Sequence, residues 1–296
     1  MIRNLTPVTG MILVILAGVF WSTIGVGIRL IEQANVWQIL MYRSVSLSLF
    51  LLILITIRSS GKPLQTIRGA GLAGIIGGWA LVLAFAGGIY SIQTTTVANA
   101  MFLFASAPFM AALLGWLVLR EAVRKSTWVA MLIAIAGILI MVVDGFAAGN
   151  AVGNISALAS AAGFAVLTVA LRWGKLADML PTILLSGVFA ASLALVICLI
   201  NGYSLVLSPT DASVAIGMGV FQVGIGLALF TIGSKVVPAA ELALLSMTEV
   251  LLGPVWAWLF LGETAATYTL VGGAVLMLAI VLNALTGIRR KPVPVI

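Results

Sequence analysis

Two charged side chains inside long apolar stretches are the clearest candidates for chemistry in this sequence. Glu249 lies near the middle of one stretch, and Arg43 lies inside another. A carboxylate near a bilayer centre costs at least ~2.5 kcal/mol by insertion scales, so it should face the interior of a helix bundle. Three roles are open for Glu249: to receive a substrate ammonium, to carry a coupled proton, or to pair with Arg43. Arg43 is predicted mainly as a buried charge partner, although a substrate carboxylate could compete for it.

Two stretches, residues 91–121 and 234–263, share one design. Each opens on small polar residues, carries a proline inside an apolar run, and closes on LVLRE or LFLGE. Inside a helix, Pro108 and Pro254 would each free the carbonyl four residues earlier. Interrupted segments at corresponding places in two halves predict a binding site at the membrane midplane. A simple packing kink is the alternative for each proline.

Neutral polar, aromatic and small residues complete the predicted site. Trp21 and Trp79 lie mid-stretch, where an indole ring either packs as core or walls a site for a flat apolar group. The predicted substrate-binding residues are Trp21, Ser22, Trp79, Asn99, Ser106, Gln222 and Glu249. Gly78 and Gly224 lie in glycine-rich stretches and are predicted hinges together with the two prolines. Close helix packing is the alternative role of these glycines.

The composition places these residues in a membrane. Of 296 residues, 62% are hydrophobic and only 8% are charged, which leaves too little charge to cover a soluble protein of this length. There is no histidine, and Cys198 is alone, so we expect neither a disulfide scaffold nor a His/Cys metal site. The net charge of +7 comes from basic residues at the ends of apolar segments, so we expect no nucleic-acid partner.

A spanning helix needs ~20 mostly apolar residues. By that measure the sequence predicts ten transmembrane helices: 9–30, 36–57, 67–90, 95–119, 127–143, 152–172, 180–200, 211–233, 238–261 and 267–285. The first is interpreted as a helix and not as a cleaved signal, since it is of full spanning length and lacks an A-x-A site. The class is therefore an all-α integral membrane protein.

The distribution of Lys and Arg predicts the orientation. If the N-terminus is cytoplasmic, thirteen of the fifteen basic residues lie on the cytoplasmic side, Arg29 lies outside, and Arg43 lies within the second helix. Cytoplasmic loops carry the excess of positive charge in membrane proteins. Both termini are thus predicted to be cytoplasmic.

The duplication then predicts two inverted halves. Residues 1–146 and 147–296 would each hold five helices, so the second half lies upside down relative to the first. The stretches WSTIGVGIR and FAVLTVALR also align without gaps, which pairs Arg29 with Arg172. Inverted repeats are typical of secondary transporters, in which two similar halves exchange conformations. A channel could share this architecture.

Two five-helix halves, each with a fourth helix that ends in L-x-L-x-E, resemble the drug/metabolite transporter superfamily and its EamA-type bacterial members. The match is looser in the first half, where Arg120 stands in the place of Gly262. The resemblance implies ten helices around a central cavity that is lined mainly by helices 1, 3, 4, 6, 8 and 9. It also implies similarity to bacterial exporters of aromatic and other amino acids.

The sequence therefore predicts a transporter of the bacterial inner membrane that exports amino acids with aromatic or apolar side chains by alternating access. The alternative is a broad drug/metabolite or nucleotide-sugar-type carrier, although sugar nucleotides would require several basic residues in the cavity. No Walker A motif is present, and without histidine a Ser–His pair or H-E-x-x-H zinc site cannot form, so an enzyme is not expected. The expected partners are a small-molecule substrate and the lipid bilayer. We expect no cofactor, and we expect the protein to be a monomer.

Overall fold

A computed structural model describes residues 6–147, 151–176 and 178–288, and every regular element in those ranges is a helix. Ten long segments follow one another, called segments 1 to 10 below. They are Pro7–Arg29, Val36–Arg58, Gly71–Thr94, Val97–Leu119, Lys125–Ala147, Ala151–Trp173, Leu180–Ile200, Pro209–Gly233, 239–261 and Thr267–Ile288. Their bounds lie within four residues of the predicted ones. A short helix, Pro63–Arg68, connects segments 2 and 3.

Segments 1 to 8 and 10 each contain a helix long and apolar enough to cross a bilayer, which makes nine such helices in the described residues. Segment 9 is not among the nine; like segments 1 and 4 it is divided, here into the helices Ala239–Leu245 and Met247–Leu261. An uninterrupted helix satisfies its own backbone hydrogen bonds, so it is the form that an apolar chain takes in hydrocarbon. The division of segment 9 therefore needs a local cause, which is described with the site below.

The packing of the segments is regular. Segment 3 packs against segments 6 and 7, and segment 8 packs against segments 1 and 2. Segments 4 and 9 contact each other and pack on segments 6 and 1, respectively. Segments 2 and 7 form a further pair, as do segments 5 and 10. Nearly every extensive contact thus joins the first five segments to the last five.

Glycines allow the closest of these contacts. At the interface of segments 3 and 6, a Cβ atom on Gly163 would lie 2.5 Å from the carbonyl oxygen of Ala80. A Cβ atom on Gly87 would lie 2.7 Å from the carbonyl oxygen of Ser156. The two backbones therefore touch directly, as small residues permit between membrane helices.

Segment 1 begins at Pro7 and ends at Arg29, so the two ends of the bundle are called the Pro7 end and the Arg29 end. At the Arg29 end, a buried carboxylate holds a loop in place. Asp211, at the start of segment 8, accepts hydrogen bonds from the N–H groups of Glu32, Gln33 and Ala34 at 3.0–3.2 Å. A carboxylate with three N–H donors in a buried place fixes the loop after segment 1 against segment 8.

Segments 4 and 9 end in the same way. Arg120 (φ 56°) and Gly262 (φ 66°) both adopt the left-handed conformation. The next residue, Glu121 or Glu263, donates its N–H to a carbonyl six residues back, in both cases at 3.2 Å. Many helices end on a left-handed residue, and segments 4 and 9 share this terminal turn.

Gly262→Ala should lower the stability of the protein, because a side chain in the left-handed conformation costs about 1 kcal/mol. Gly217→Ala is the matched control, because neither glycine has an atom within 4 Å of an added Cβ and only Gly262 has a positive φ. The control should be neutral or stabilising, by ~0.5 kcal/mol. Reversible unfolding in mixed micelles measures both. Equal effects of the two substitutions would contradict the assignment of the turn.

Candidate functional site

Four segments depart from a regular α-helix near their middles. Segment 1 is divided at Thr23, segment 4 at Ala105 and Ser106, and segment 9 at Ser246. Segment 8 is continuous but winds as a π-helix over Met218–Ile225. Irregular backbone at membrane depth occurs where it is buried in protein or lines a cavity, so these positions mark the candidate site.

Serine hydroxyl groups lie at three of the departures. The side chains of Ser22, Ser106 and Ser246 each donate to a carbonyl one turn earlier, at 2.7, 2.6 and 2.8 Å. Such bonds compete with the helix's own hydrogen bonds and tend to bend it. The breaks in segments 1 and 9 were not predicted at these positions. The serines were a usable signal for them in the sequence.

The two predicted prolines behave differently. Pro108 lies in the first turn of the helix that follows the break at Ser106, where proline is well tolerated. Pro254 lies inside the continuous helix Met247–Leu261. The prediction of a break at Pro254 is wrong, and the interruption lies two turns earlier, at Ser246. The interruption coincides with the back-bonded hydroxyl of Ser246, whereas Pro254 lies within a continuous helix.

Glu249 follows that interruption directly. It lies in the first turn of the second helix of segment 9, and its side chain is partly buried. Segment 1 approaches closely here, since a Cβ on Gly18 would lie 3.4 Å from the backbone nitrogen of Glu249. Within the described residues its carboxylate has no ion pair and no hydrogen bond. A carboxylate at this depth is thus available to a mobile group such as a proton or a substrate cation.

Arg43 is not the partner of Glu249. The side chain of Arg43 is buried, and its guanidinium carbon lies 4.8 Å from the centre of the Phe85 ring on segment 3. Its Nε and Nη1 atoms have no hydrogen-bond partner in the described part of the chain. A buried cation over a ring face is stabilised by a cation–π interaction. Of the three roles open for Glu249, the pair with Arg43 is thus not formed in this structure, where Arg43 contacts Phe85 instead.

Hydrogen bonds join segments 1, 8 and 9 at the break in segment 1. The indole Nε1 of Trp256 donates to the hydroxyl of Ser22 at 2.9 Å. The amide Nε2 of Gln222 donates to the carbonyl of Trp21 at 3.4 Å, and its Oε1 is buried without a partner. The structure thus brings Ser22 and Gln222 together between segments 1, 8 and 9, with the hydroxyl of Ser22 engaged within the protein. The role of Trp256 beside Ser22 was missed, because its position near a helix end indicated an interfacial residue.

The two predicted tryptophans lie in different surroundings. Trp21 packs on Phe230 of segment 8, with ring centres 5.2 Å apart. Trp79 stacks on Phe189 of segment 7 at 5.0 Å, and 48% of its side chain is exposed. The structure thus brings Trp21 to Ser22 and Gln222, whereas the described contact of Trp79 is with segment 7.

Asn99 forms a buried amide pair that the sequence did not reveal. Its amide nitrogen donates to the side-chain oxygen of Asn154 on segment 6, and it also donates to the hydroxyl of Thr95 at 3.1 Å. The oxygen of Asn99 and the nitrogen of Asn154 have no partner. The pair therefore adds neutral polar groups between segments 4 and 6. The pairing of two amides 55 residues apart left no local signal.

The two predicted glycine hinges also differ. Gly224 lies in the π-helical stretch of segment 8, where a Cβ would meet the ring of Phe50 at 2.6 Å. Gly78 lies in the uninterrupted helix of segment 3, where a Cβ would meet the ring of Phe189 at 3.1 Å. Gly224 therefore coincides with a backbone irregularity. Gly78 permits close packing on segment 7.

A groove of about 490 Å³ lies beside this region. Segments 1, 8 and 9 line it, and its walls include Phe20, Phe221, Trp256 and Phe260 with Gln222. Phe221 and Phe260 are exposed, so the groove opens on the surface of the bundle. Three or more His, Cys, Asp or Glu side chains that could hold a metal ion do not come together in the described ranges.

Comparison with known proteins gives one family. The model of the EamA-like transporter family matches twice, over residues 8–143 and 151–285. The uncharacterized transporter YwfM of Bacillus subtilis (strain 168) is 26% identical over 202 residues, which are 67% of this chain and 68% of that protein. A crystal structure of a protein described without a function superimposes with a TM-score of 0.64 at 15% identity, over 96% of this chain and 99% of that one. The likeness to the crystal structure is one of fold.

Double-mutant cycles should separate the two assignments for Arg43. Arg43→Gln and Phe85→Leu should show a coupling of about 1 kcal/mol, because each removes one half of the cation–π contact. Arg43→Gln and Glu249→Gln should be additive within ~0.5 kcal/mol, because the two side chains share no contact. Unfolding in mixed micelles of the single and double variants gives both numbers. A coupling between residues 43 and 249 larger than that between 43 and 85 would restore the ion pair.

Proposed function

The chain belongs to the EamA-like transporter family, and on that premise we propose that it exports amino acids with aromatic or apolar side chains by alternating access. The protein is a multi-pass membrane transporter of small molecules. The observation that carries the proposal is Glu249, a carboxylate without an ion-pair partner in the described residues, beside a helix interruption at mid-membrane. Substrate and coupling-ion sites of secondary transporters are built at such interruptions.

The inverted repeat is supported by two independent regularities. The family model matches two stretches of similar length, one in each half. In addition, exchanging each segment with the one five places later maps the packing onto itself. The packing of segment 3 on segments 6 and 7 becomes the packing of segment 8 on segments 1 and 2. The pair of segments 2 and 7 and the pair of segments 5 and 10 are unchanged by the exchange. Two halves related in this way can exchange conformations, which is the basis of alternating access.

The candidate site residues of segments 1, 4, 8 and 9 together support a zwitterionic substrate with a flat apolar group. The carboxylate suits an ammonium, Gln222 and the Asn99–Asn154 pair supply neutral polar groups, and the rings of Trp21 and Trp256 suit an aromatic side chain. A nucleotide-sugar carrier is the second candidate. It is less favoured because Arg43 lies against Phe85 and Arg29 is paired with Glu263.

The orientation is proposed from charge. The predicted topology assigns thirteen of fifteen basic residues to the side of the Pro7 end, so both termini should be cytoplasmic in a bacterial inner membrane. In a Cys198→Ser background, cysteines introduced at Ala122 and Ala265 should react with a membrane-impermeant reagent from opposite sides. Ala122 should react only from the inside. Labelling of both positions from one side would exclude the inverted arrangement.

Glu249→Gln separates the two functional roles of this carboxylate, since it keeps the shape but removes the charge and the titratable proton. Proteoliposomes loaded with a panel of labelled amino acids measure counterflow and pH-gradient-driven accumulation. If Glu249 carries the proton, counterflow should persist and accumulation should fall at least tenfold. If it binds the ammonium, counterflow should weaken as well.

The matched control is Glu32→Gln, which changes the same group on an exposed loop. It should leave both measurements unchanged. A Glu249→Gln variant with normal counterflow and normal accumulation would remove Glu249 from the mechanism. Counterflow of none of the amino acids by the unmodified protein would reject the proposed substrate class.

A further inference from the structure

Two Arg–Glu ion pairs lie at opposite ends of the bundle. Nε of Arg29 lies 3.0 Å from Oε2 of Glu263 at the Arg29 end. Nη1 of Arg172 lies 2.6 Å from Oε2 of Glu121 at the Pro7 end. These are the ion pairs found within the described part of the chain. Each joins the first five segments to the last five.

The two pairs occupy equivalent positions. Arg29 and Arg172 stand at the ends of segments 1 and 6, in the stretches that align without gaps. Glu121 and Glu263 both follow a left-handed residue that ends segment 4 or 9, with the same backbone hydrogen bond six residues back. Exchanging the halves therefore maps one pair onto the other, while it exchanges the ends of the bundle.

The surroundings of the two pairs are not equivalent. At the Arg29 end, Arg29 also donates to the carbonyl of Thr95 at 2.7 Å, and Glu263 accepts the N–H of Val97. The pair is thereby fastened to the start of segment 4, and its side chains are 30% and 19% exposed. At the Pro7 end the side chains of the pair are 43% and 42% exposed. The further described bond of Arg172 is a long one, 3.4 Å, to a carbonyl within segment 4.

Further bonds between the halves join segments 1, 2, 7 and 8 at the Arg29 end. Besides the Asp211 contacts, Gln38 donates to the carbonyl of Ser204 at 2.6 Å and Tyr42 donates to the carbonyl of Leu205 at 2.9 Å. At the Pro7 end, the hydroxyl of Thr127 donates to Oδ1 of Asn283 at 2.8 Å, which joins the flanking segments 5 and 10. Segments 1, 2, 7 and 8 are thus fastened at the Arg29 end, which is the closed end in this structure.

We propose that the two Arg–Glu pairs are alternating locks, each of which closes one end of the transport path by fastening the start of segment 4 or 9. The proposal rests on the proposed transport by alternating access. In the part of the chain that the structure describes, the Glu121–Arg172 lock lacks backbone contacts to the start of segment 9, and those contacts can be derived from the ones that the Glu263–Arg29 lock makes. Thr96 and Pro238 are the equivalent caps of segments 4 and 9, so Val97 corresponds to Ala239 and Thr95 to Val237. In the other state, Glu121 accepts the N–H of Ala239 and Arg172 donates to the carbonyl of Val237.

The chemistry of the locks suits an exchange of this kind. The first N–H groups of a helix have no partner within the helix, and a carboxylate placed there is stabilised by the helix dipole as well. Hydrogen bonds between charged groups and the backbone are stronger than neutral ones. One lock forms its backbone contacts as the other loses them, so the two states remain close in free energy. A ligand can then shift the population between them.

Distances between nitroxide pairs test the proposal in proteoliposomes. In a Cys198→Ser background, labels at Gln33→Cys and Ala266→Cys report the Arg29 end, and labels at Ala122→Cys and Lys175→Cys report the Pro7 end. Glu263→Gln should shift the ratio of populations on the order of tenfold, with a longer 33–266 distance and a shorter 122–175 distance. Glu121→Gln should shift both distances in the opposite direction. Glu32→Gln, an exposed change at the Arg29 end, should shift neither.

Two further variants exclude a merely structural effect. Arg29→Gln should reproduce the distances of Glu263→Gln, and Arg172→Gln should reproduce those of Glu121→Gln, since each breaks the same lock from its other side. Widening of only the mutated end, without narrowing of the opposite one, would overturn the alternation. Unchanged distances in all four variants would overturn the locks.

Counterflow in the same vesicles distinguishes failure of the locks from failure of the proposed function. Amino-acid counterflow together with unchanged distances would reject the locks and leave the transporter proposal standing. Opposite shifts of the two distances without amino-acid counterflow would support the locks and reject the proposed substrate class.

Discussion

The need to satisfy backbone hydrogen bonds in hydrocarbon constrains everything else in this structure. An apolar chain of this composition gains little from water exclusion between helices, so its segments remain helical and pack through small residues. Gly87 and Gly163 show the result at the interface of segments 3 and 6, where backbone meets backbone. Each interruption leaves backbone groups without their helical hydrogen bonds, so other groups of the protein must supply hydrogen-bond partners. Serine hydroxyls and neighbouring segments supply those partners near the middle of the bundle.

The interruptions and the charged groups together divide the protein into functional zones. At mid-membrane, Glu249 lies beside a break and is free of ionic partners in the described residues, while Gln222 and Ser22 tie segments 8 and 9 to segment 1. At the two ends, the charges are instead paired and joined to helix termini. The carboxylate without an ionic partner in the described residues thus lies away from the ends of the bundle, and the strong directional bonds lie at the two ends. This division is consistent with the proposed alternating access.

The sequence alone predicted where the helical segments lie, but it did not predict which side chains pair across the bundle. Apolar length located all ten segments within a few residues, because a bilayer imposes that length. The contact of Arg43 was not predicted, since charge suggested Glu249 as one alternative whereas packing placed the guanidinium over Phe85. Asn154 and Asp211 were missed for a related reason. Their partners lie 55 to 179 residues away, and no local spacing reports such contacts.

The bonds of Asp211 have a consequence for the order in which the protein is made. The loop that it holds, Glu32 to Ala34, leaves the ribosome 177 to 179 residues before Asp211 does. At 5–20 residues per second, that interval lasts on the order of ten seconds or more. During this time the loop's N–H groups have water or the insertion machinery as partners. The Arg29 end therefore matures late in biogenesis, and a chain released before segment 8 would lack the carboxylate that completes it.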